Sequence, residues 1–446
     1  MKIVIAGAGD VGFHLAELLS IENIDIILRD LEQDVLDYAG THLDVMTLKG
    51  DCASLSLLQQ AGIKDAKLFL AVTTSEKTNL VAAILAKKLG AKQVIARVSS
   101  LEYLCKEQKQ LFGELGIDVL MSPIQLATKE IERLIQRCSF TDLLDFEDGK
   151  MSLAGITLRN RSPLINTSVM NLNNGAWDVN LRPIAILRGH ETIIPRGDTI
   201  FRRNDHIYFL TKRENIEKLE ELLGEKKRDI KKVMIIGGTA LGVSTALQLE
   251  KEYEITLIVK DKKRAIELSG VLDSTLIIRG DYSNTELLKE EGLNNMDAFI
   301  ALTSNSETNI IASLTAKNNG VYKTIAQVEN KEYIHLSQNI GVDTLINKKL
   351  IAANNIFRFV RKGKVEAVMS LHGVNAEVIE FVVHKNNRTT KKPIKDLHFP
   401  KTAIIAGVIR GEESLVPNGD FQLRVGDKVI VFTLPESITK LEKLFS

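Results

Sequence analysis

An apolar stretch followed by a glycine-rich turn occurs twice in this 446-residue chain, and this repeat limits the possible folds more than any other feature. Residues 3–12 read IVIAGAGDVG and residues 233–242 read VMIIGGTALG, so Gly237 lies 230 residues after Gly7. Four apolar residues before a G-x-G-x-x-G pattern are typical of a buried parallel strand that runs into a helix. The chain is therefore expected to contain two such strand-turn-helix units.

The similarity between the halves extends well beyond the turns. At the same offset and without a gap, Gly50-Asp51 aligns with Gly280-Asp281, and Thr78-Asn79 aligns with Thr308-Asn309. Further along the offset shrinks to 222 residues, and these pairs still match: Arg188 with Arg410, Pro195 with Pro417, Gly197 with Gly419, and Asp205 with Asp427. Matches over this length indicate a duplication whose unit is the whole half-chain.

Each half changes its hydrophobic period part-way. Up to about residue 120, short apolar runs alternate with helical patterns, and the predicted strands include residues 25–28, 45–48, 68–72 and 94–98. This pattern is typical of a parallel sheet covered by helices on both faces. From residue 151 onward the segments are short and alternating, as at 178–187 and 206–210, and a helix at 216–223 closes a small domain.

The predicted fold is α/β, with two doubly wound Rossmann-like domains, each followed by a small α+β domain. The domains are predicted at residues 1–138, 139–225, 230–358 and 359–446, and the charged stretch 225–229 is read as a solvated linker. Pro123 is expected to begin a helix with one apolar face, which suits a crossover or interface helix.

Composition narrows the functional classes. With 44% hydrophobic and 26% charged residues and a net charge of +1, the chain reads as an ordinary globular protein without a broad nucleic-acid-binding face. It contains no apolar run of about 18 residues, so a cytosolic location is expected. Cys52, Cys105 and Cys138 show no metal-ligand spacing and are expected to be reduced thiols. His14 is expected to be a packing or helix-surface residue rather than a base, and we predict no metal site and no catalytic group.

The candidate ligand site lies at the carboxyl ends of the strands in the first half. The glycine turn and the following helix start suit a pyrophosphate, and Asp30 can accept hydrogen bonds from a ribose. Asp30 favours NAD over NADP, although the neighbouring Arg29 weakens that preference. Asp51 and Cys52 are expected beside the adenine, Thr73 and Thr74 near the second ribose or the phosphates, and Arg97 near a phosphate. The predicted residues are Gly7, Ala8, Gly9, Asp10, Val11, Gly12, Asp30, Asp51, Cys52, Thr73, Thr74 and Arg97.

The second half carries a less complete version of the site. Thr239 replaces the middle glycine, Lys260 stands at the position of Asp30 with Asp261 after it, and Gln327 stands at the position of Arg97. A mononucleotide, a differently posed dinucleotide and an empty structural copy all remain open. The candidate residues are Gly237, Gly238, Thr239, Ala240, Leu241, Gly242, Lys260, Asp261, Asp281 and Thr303.

The motif GAGDVG with Asp30, Gly50-Asp51, the segment Ala71-Val72-Thr73 and the later Pro195-Arg196-Gly197-Asp198 resemble the RCK (or KTN) family over essentially the whole chain. The resemblance implies RCK N and RCK C domains twice over. It also implies that the chain is a nucleotide-responsive regulatory subunit. Four copies would form a homotetrameric ring on the cytosolic face of a Trk-type potassium-translocating membrane subunit. Its implied ligands are NAD(H) and, as an alternative, ATP or ADP. The contacts carried over by position are residues 7–11, Asp30, Thr73, Thr74 and Arg97.

Two other functional classes require features that the sequence does not show. An NAD-dependent oxidoreductase needs an acid or base near the nicotinamide and a substrate pocket, and the small domains show no His, Lys, Tyr or Asp cluster of that kind. A redox-sensing transcriptional repressor needs a DNA-reading module, and the sequence has neither a helix-turn-helix pattern nor a basic stripe. The residues and the resemblance therefore favour a regulatory subunit that is not an enzyme.

Overall fold

The computed structural model describes residues 2–20, 24–146, 150–158, 162–173, 181–189, 191–222, 229–330, 333, 341–360, 368–370, 376–384 and 388–445. The chain divides into two compact units. The first comprises residues 1–129 and 347–360, and the second comprises residues 130–346 and 361–446. Within the described ranges, every helix is too short or too polar to span a bilayer.

The chain begins with a six-stranded parallel sheet in the order β3-β2-β1-β4-β5-β6. Its strands are apolar because helices cover both faces of the sheet. Ile3, Val4 and Ile5 in the central strand are fully buried. Strands and helices alternate along the chain: β1 Lys2–Ala6, α1 Asp10–Ser20, β2 Asp25–Asp30, α2 Gln33–His42, β3 Met46–Lys49, α3 Leu55–Gln60, β4 Leu68–Ala71, α4 Glu76–Lys88, β5 Gln93–Arg97, α5 Lys106–Glu114, β6 Val119–Met121 and α6 Pro123–Gln136.

These bounds differ from the predicted strands by one or two residues. The apolar run 25–28 forms the first part of β2, which ends at Asp30 as predicted, because Arg29 and Asp30 pair with Leu48 and Lys49 of β3. Helix α6 begins at Pro123 as predicted, and the side chains of Ile131, Leu134 and Ile135 on its apolar face are buried.

The first small domain is an antiparallel sheet in the order β10-β9-β11-β8-β7. Its elements are β7 Asp142–Phe146, β8 Met151–Thr157, α7 Val169–Asn173, β9 Leu181–Arg188, β10 Glu191–Ile193, β11 His206–Lys212 and α8 Ile216–Leu222. The predicted strand at 178–187 is therefore β9, of which residues 178–180 lie outside the described residues. The end of the predicted helix at residue 223 and residues 225–228 of the predicted linker lie outside them too.

The second parallel sheet repeats the first, in the order β14-β13-β12-β15-β16-β17. Even the register is conserved, since Ile3 pairs with Leu68 in the first sheet and Val233 pairs with Ala298 in the second. The elements are β12 Lys232–Ile236, α9 Ala240–Leu249, β13 Glu254–Val259, α10 Lys262–Ser269, β14 Leu276–Arg279, α11 Thr285–Glu290, β15 Ala298–Ala301, α12 Ser306–Asn318, β16 Lys323–Gln327, β17 Thr344–Ile346 and α13 Lys348–Val360.

The second small domain completes the duplication, with an antiparallel sheet in the order β18-β19-β22-β20-β21. Its elements are β18 Val368–Ser370, β19 Glu377–Val382, α14 Arg388–Lys391, β20 Ala403–Arg410, β21 Glu413–Leu415, β22 Lys428–Thr433 and α15 Ile438–Phe445. Inner-face residues of both small sheets, among them Leu153, Tyr208, Ile404 and Phe432, share one hydrophobic core within the second unit.

The matched polar residues of the small domains hold the same fold position in each. Arg188 makes a two-pronged ion pair with Asp205 at 2.8 Å. Arg410 pairs with Asp427 in the same way, at 2.8 and 2.9 Å. Both aspartates are almost fully buried, so each arginine satisfies a carboxylate that would otherwise be costly to bury. The match of Arg188 and Asp205 with Arg410 and Asp427, at an offset of 222 residues, thus reflects a structural ion pair that is present in both small domains.

Candidate functional site

A cavity of about 730 Å³ lies in the first unit, at the carboxyl ends of the strands. The strand order reverses between β1 and β4, which is where doubly wound sheets bind ligands. The volume falls in the usual range for small-molecule sites, about 300–1,000 Å³. Most of the predicted first-half residues line this cavity, namely Gly7, Gly9, Asp10, Val11, Asp30, Asp51, Cys52, Thr73, Thr74 and Arg97.

The turn at the centre of the cavity depends on glycine at two positions. Gly7 has φ +111°, and an added Cβ there would lie 2.8 Å from the backbone nitrogen of Thr73. A Cβ on Gly12 would collide with the carbonyl oxygen of Gly7. Gly9 differs from both, because a Cβ placed on it would meet no protein atom within 4 Å. The space in front of Gly9 is therefore open to a ligand.

Asp30 is held at one end of the cavity by backbone donors. Ala8 N donates to Asp30 Oδ2 at 2.7 Å, and Glu32 N donates to Oδ1 at 3.1 Å. Each carboxylate oxygen retains acceptor capacity, because an ionised carboxylate offers about four lone-pair sites. The Asp30 side chain is thus oriented to accept hydrogen bonds from a ribose diol, as its position at the end of β2 predicts.

Arg29 does not share this face. Its side chain is fully buried, and Nη2 donates to the carbonyl oxygen of Asp51 at 2.8 Å. Burial lowers the pKa of Arg29, while Cys52 and Asp51 oppose that shift. The concern that Arg29 weakens the preference for NAD therefore loses its structural basis, since this guanidinium is engaged inside the fold and does not line the cavity.

Cys52 and Asp51 shape the wall beside Asp30. The Cys52 thiol is buried, which raises its pKa to about 11, so it is a neutral packing group at physiological pH. Asp51 Oδ1 accepts a hydrogen bond from Ala53 N at 2.9 Å, which fixes the loop after β3.

Thr73 is positioned by a residue that the sequence analysis did not select. Asn79 in α4 is buried, and its Oδ1 accepts from both Thr73 N at 2.9 Å and Thr73 Oγ1 at 2.7 Å. Its Nδ2 donates to the carbonyls of Thr73 and Arg97, at 3.0 and 2.9 Å. Asn79 thereby ties the ends of β4 and β5 together. The signal was present in the sequence, because Asn309 follows Thr303 at the same spacing in the other half.

Replacing Thr73 with valine tests this network. The change removes the Thr73 hydroxyl, which donates a hydrogen bond to Asn79. Because that bond is lost, we expect the unfolding free energy of the first unit to fall by about 1 kcal/mol. Thr303 makes the same contacts with Asn309, so Thr303→Val should destabilise the second unit to a similar extent. Hydrogen exchange of the backbone amides in each unit, measured at increasing denaturant concentration, reports both changes in unfolding free energy. Unaltered exchange in both variants would show that these hydroxyls do not support the strand ends.

Positive charge collects at the other end of the cavity. Arg97 lines this end of the cavity, and its buried Nε makes no hydrogen bond. Burial lowers the pKa of Arg97, while the negative charge of Asp10 acts to raise it. Lys348 and Lys349, the first residues of α13, also line the cavity. Lys349 Nζ lies 2.6 Å from Asp10 Oδ2. Neither lysine was predicted from the sequence, because it is the packing of α13 against α1 that brings them to this site.

The corresponding turn of the second half is filled by its own side chains. Thr239 Oγ1 accepts from Gly242 N at 3.1 Å and donates to the carbonyl of Leu302 at 2.8 Å. The threonine therefore caps α9 at the position where Gly9 leaves open space. Arg264 Nε donates to the carbonyl of Gly238 at 3.1 Å, so this side chain covers the turn as well.

The other candidate residues of the second half are also engaged within the protein. Lys260 pairs with Asp281 at 2.8 Å, and this contact, strengthened by Ser283, lowers the pKa of Asp281. Asp261 caps α10 by accepting from Arg264 N at 2.7 Å. Gln327 is buried and donates to Glu329 at 2.8 Å. Of the remaining candidates, Gly237, Ala240 and Leu241 belong to the turn and the start of α9, and Leu241 is buried.

His14 is buried in α1, and its Nδ1 lies 2.7 Å from Glu17, as expected of a packing residue. In the part of the chain that the structure describes, no three His, Cys, Asp or Glu side chains are grouped as metal ligands would be.

Two domain families match the chain twice each. The TrkA-N domain matches residues 3–123 and 233–348, and the TrkA-C domain matches residues 153–224 and 378–446. This chain belongs to the TrkA family. The N-C-N-C order of the TrkA domains confirms the predicted fold class, while the domain boundaries derived from the sequence stay predictions.

Full-length relatives carry TrkA names. The Trk system potassium uptake protein TrkA homolog of Archaeoglobus fulgidus is 35% identical over 449 residues, and the alignment covers 100% of each chain. The Trk system potassium uptake protein TrkA of Halomonas elongata is 33% identical over 450 residues, covering 100% of this chain and 98% of the relative. These matches confirm the resemblance drawn from the motifs.

Among solved structures, the TrkA-family chain resembles the GsuK channel bound to NAD, with a TM-score of 0.60 at 16% identity, covering 100% of this chain and 78% of the channel. The crystal structure of the GsuK RCK domain also matches with a TM-score of 0.60 at 16% identity, covering 100% of this chain and 94% of that one. At such identity the likeness establishes the fold alone, which is the RCK arrangement.

Proposed function

We propose that this protein is a regulatory subunit that binds an adenine nucleotide in its first half and thereby controls a potassium-translocating membrane protein. The observation that carries the proposal is the cavity at the strand-order reversal, where an open glycine turn lies beside the oriented carboxylate of Asp30. The relatives that align over the full length are named Trk system potassium uptake proteins, which supplies the membrane process.

NAD(H) is the proposed ligand, with ATP and ADP as alternatives. The carboxylate of Asp30 suits the diol of an adenosine ribose and repels a 2′-phosphate, which favours NAD(H) over NADP(H). The glycine turn and the start of α1 suit a pyrophosphate, because the first N–H groups of a helix have no partner within the helix and attract anions. Solved structures of GsuK with the same fold are described as bound to NAD and to ADP.

The second half is proposed to bind dinucleotides weakly or not at all. Thr239 fills the space that Gly9 leaves open, and Lys260 replaces the ribose-binding acid. Arg264 Nε donates to the carbonyl oxygen of Gly238, so this side chain already covers part of the turn. One dinucleotide site per chain follows from this asymmetry.

Control of a membrane protein requires a partner and a change of shape. The proposed partner is a Trk-type potassium-translocating subunit, contacted from the inner face of the cell membrane by a homotetrameric ring of these chains. A bound nucleotide shifts a conformational equilibrium only by as much as it prefers one state over the other. NADH and ATP or ADP are therefore proposed to favour different ring shapes, because they differ in charge and length beyond the shared diphosphate.

An NAD-dependent oxidoreductase remains the alternative function. It would need an acid or base beside the nicotinamide. The cavity is lined by Asp, Glu, Arg and Lys but by neither His nor Tyr among the described residues. The cavity residues thus supply groups that can bind a nucleotide. They do not include a histidine or tyrosine, the residues that often perform proton transfer, and this favours a regulatory function over an oxidoreductase.

Isothermal titration calorimetry of the purified protein with NAD+, NADH, ATP and ADP tests the proposal. We expect one tight site per chain for NADH and competition among the four ligands, since they share the adenosine and diphosphate contacts. Co-purification with a Trk-type membrane subunit tests the partner. Absence of nucleotide binding, or steady turnover of NAD+ with a panel of alcohols and hydroxy acids, would refute the regulatory function.

A further inference from the structure

The end of β13 is apolar at the point where β2 of the first half ends in an acid. Gly50 N donates to the carbonyl oxygen of Asp30 at 2.8 Å, and Gly280 N donates to that of Val259 at 3.0 Å. Each acceptor is the last residue of its strand. Val259 is therefore the structural counterpart of Asp30, although Lys260 takes that place when the sequences are aligned without a gap. An aliphatic side chain thus stands where the first half presents its carboxylate.

The side chain of Val259 contacts the glycine turn. It is buried, and a Cβ added to Gly238 would lie 3.0 Å from Val259 Cγ1. At the same point of the first turn, Ala8 donates its N–H to the carboxylate of Asp30 at 2.7 Å. An apolar contact in the second half thus replaces a polar contact in the first, and it offers a ribose no acceptor.

Arg264 stands at the position of a residue that lines the first-half cavity. Helix α2 begins at Gln33 and helix α10 begins at Lys262, so their third residues are Val35 and Arg264. Val35 lines the cavity. Arg264 Nε donates to the carbonyl oxygen of Gly238 at 3.1 Å, and a Cβ added to this glycine would lie 3.2 Å from Arg264 Cγ. A long cationic side chain therefore replaces a short apolar one beside the turn.

The backbone around these residues keeps the geometry of the first half. Gly237 has φ +107°, and an added Cβ there would lie 2.7 Å from the carbonyl oxygen of Leu302. A Cβ on Gly242 would collide with the carbonyl oxygen of Gly237. Thr303 N donates to Asn309 Oδ1 at 2.9 Å, as the corresponding residues do in the first half. The differences between the two turns are thus concentrated in side chains.

We propose that Thr239, Val259 and Arg264 close the second half to nucleotides, and that their three first-half counterparts would open it. Thr239 stands where Gly9 gives a pyrophosphate access to the backbone, and the other two stand where the first half meets the ribose. The inference rests on the proposed nucleotide site of the first half and assigns the residues that decide which half responds. The second turn then keeps one conformation at every nucleotide concentration.

The test transfers the first-half residues into the second half of a protein whose own site is silenced by Gly9→Val. In that background, Thr239→Gly, Val259→Asp and Arg264→Val are introduced together into the full-length chain. This triple variant is expected to regain one NADH site per chain in a calorimetric titration, with an affinity at least ~10-fold above that of Gly9→Val alone. Thermal unfolding of the same preparation shows whether the fold is retained.

Two further variants in the same background separate the contributions. Thr239→Gly with Arg264→Val keeps the apolar end of β13, so it should bind NADH at least ~10-fold more weakly than the triple variant. The matched control is Thr239→Gly with Val259→Asp and Lys263→Val. It removes the neighbouring exposed cation and leaves Arg264 beside the turn, so it should not restore the site.

A reciprocal change in the first half does not require the protein to accept a new carboxylate. Val35→Arg places a guanidinium beside the cavity, where it can pair with Asp30, and is expected to weaken NADH about 10-fold. Gln33→Arg adds the same charge at an exposed position that does not line the cavity. This control should keep NADH affinity within about 2-fold of the unaltered protein.

A triple variant that unfolds like its Gly9→Val parent but binds no more NADH would overturn the inference. Unchanged NADH affinity in Val35→Arg would overturn it too, and this variant alone decides the question if the triple variant does not fold. Both outcomes leave the proposed function intact, because the unaltered protein still binds a nucleotide in its first half. Failure of the unaltered protein to bind any nucleotide would instead refute the proposed function, and the inference with it.

Discussion

Replacing Gly9 with valine is expected to lower the affinity of the protein for NADH at least ~100-fold, or about 2.7 kcal/mol of binding free energy. The added side chain would project into open space, so the fold tolerates it while the pyrophosphate loses its approach to the backbone. The melting temperature should fall by only a few degrees, because Gly9 does not require a left-handed backbone. Calorimetry and thermal unfolding of the same preparation measure the two effects.

Thr239→Val supplies the matched control in the second half. Its NADH affinity should remain within about 2-fold of the unaltered protein, because the space is already filled by a side chain of the same size. Thermal stability should fall, since Thr239 caps α9 and loss of such a cap costs about 1 kcal/mol. Similar losses of NADH binding in the two variants would contradict the inequality of the halves.

Replacing Asp30 with alanine is expected to weaken NADH about 30-fold, or about 2 kcal/mol of binding free energy. Two causes combine: the ribose loses a charged acceptor, and Ala8 N loses the carboxylate that orients the turn. The isosteric Asp30→Asn variant should lose less NADH affinity and should narrow the gap between NADH and NADPH, because the negative charge facing a 2′-phosphate is gone. Competition titrations with both dinucleotides measure this.

Lys260→Ala is the control for Asp30, since Lys260 occupies the matching position and its ion pair with Asp281 is exposed. We expect no change in NADH affinity. If Asp30→Ala binds NADH as tightly as the unaltered protein, the assigned ligand pose is wrong.

The parts of the site that depend on local chemistry were predictable from the sequence. A tight turn between a buried strand and a helix requires glycine, and a Cβ added at Gly7 or Gly12 would meet backbone atoms. The repeat at a fixed offset predicted a second sheet with the same strand order, and the two sheets have matching registers. The glycine turn and the second sheet could be predicted because they depend on backbone geometry and on the hydrophobic period within a single domain.

The orientation of Arg29 was predictable but was not predicted. Neighbouring side chains in a strand point to opposite faces of the sheet, so Arg29 and Asp30 in β2 cannot both face the same ligand. The buried Arg29 Nη2 contacts Asp51, and Asp30 is oriented by Ala8.

The cationic end of the cavity was not accessible from the sequence. Lys348 and Lys349 lie more than 300 residues after Asp10, and their position depends on how α13 packs against α1. Two adjacent lysines at a helix start carry no signal of their own in a chain with 58 Lys and Arg residues. Such a site arises from tertiary packing, which a period or a motif does not encode.

Potassium flux into liposomes that contain the Trk-type membrane subunit tests the central claim most directly. With this protein added, flux is expected to respond to NADH and ATP, to lose that response in Gly9→Val, and to keep it in Thr239→Val. Flux that is the same with and without nucleotide, or a nucleotide response that survives Gly9→Val, would contradict the account.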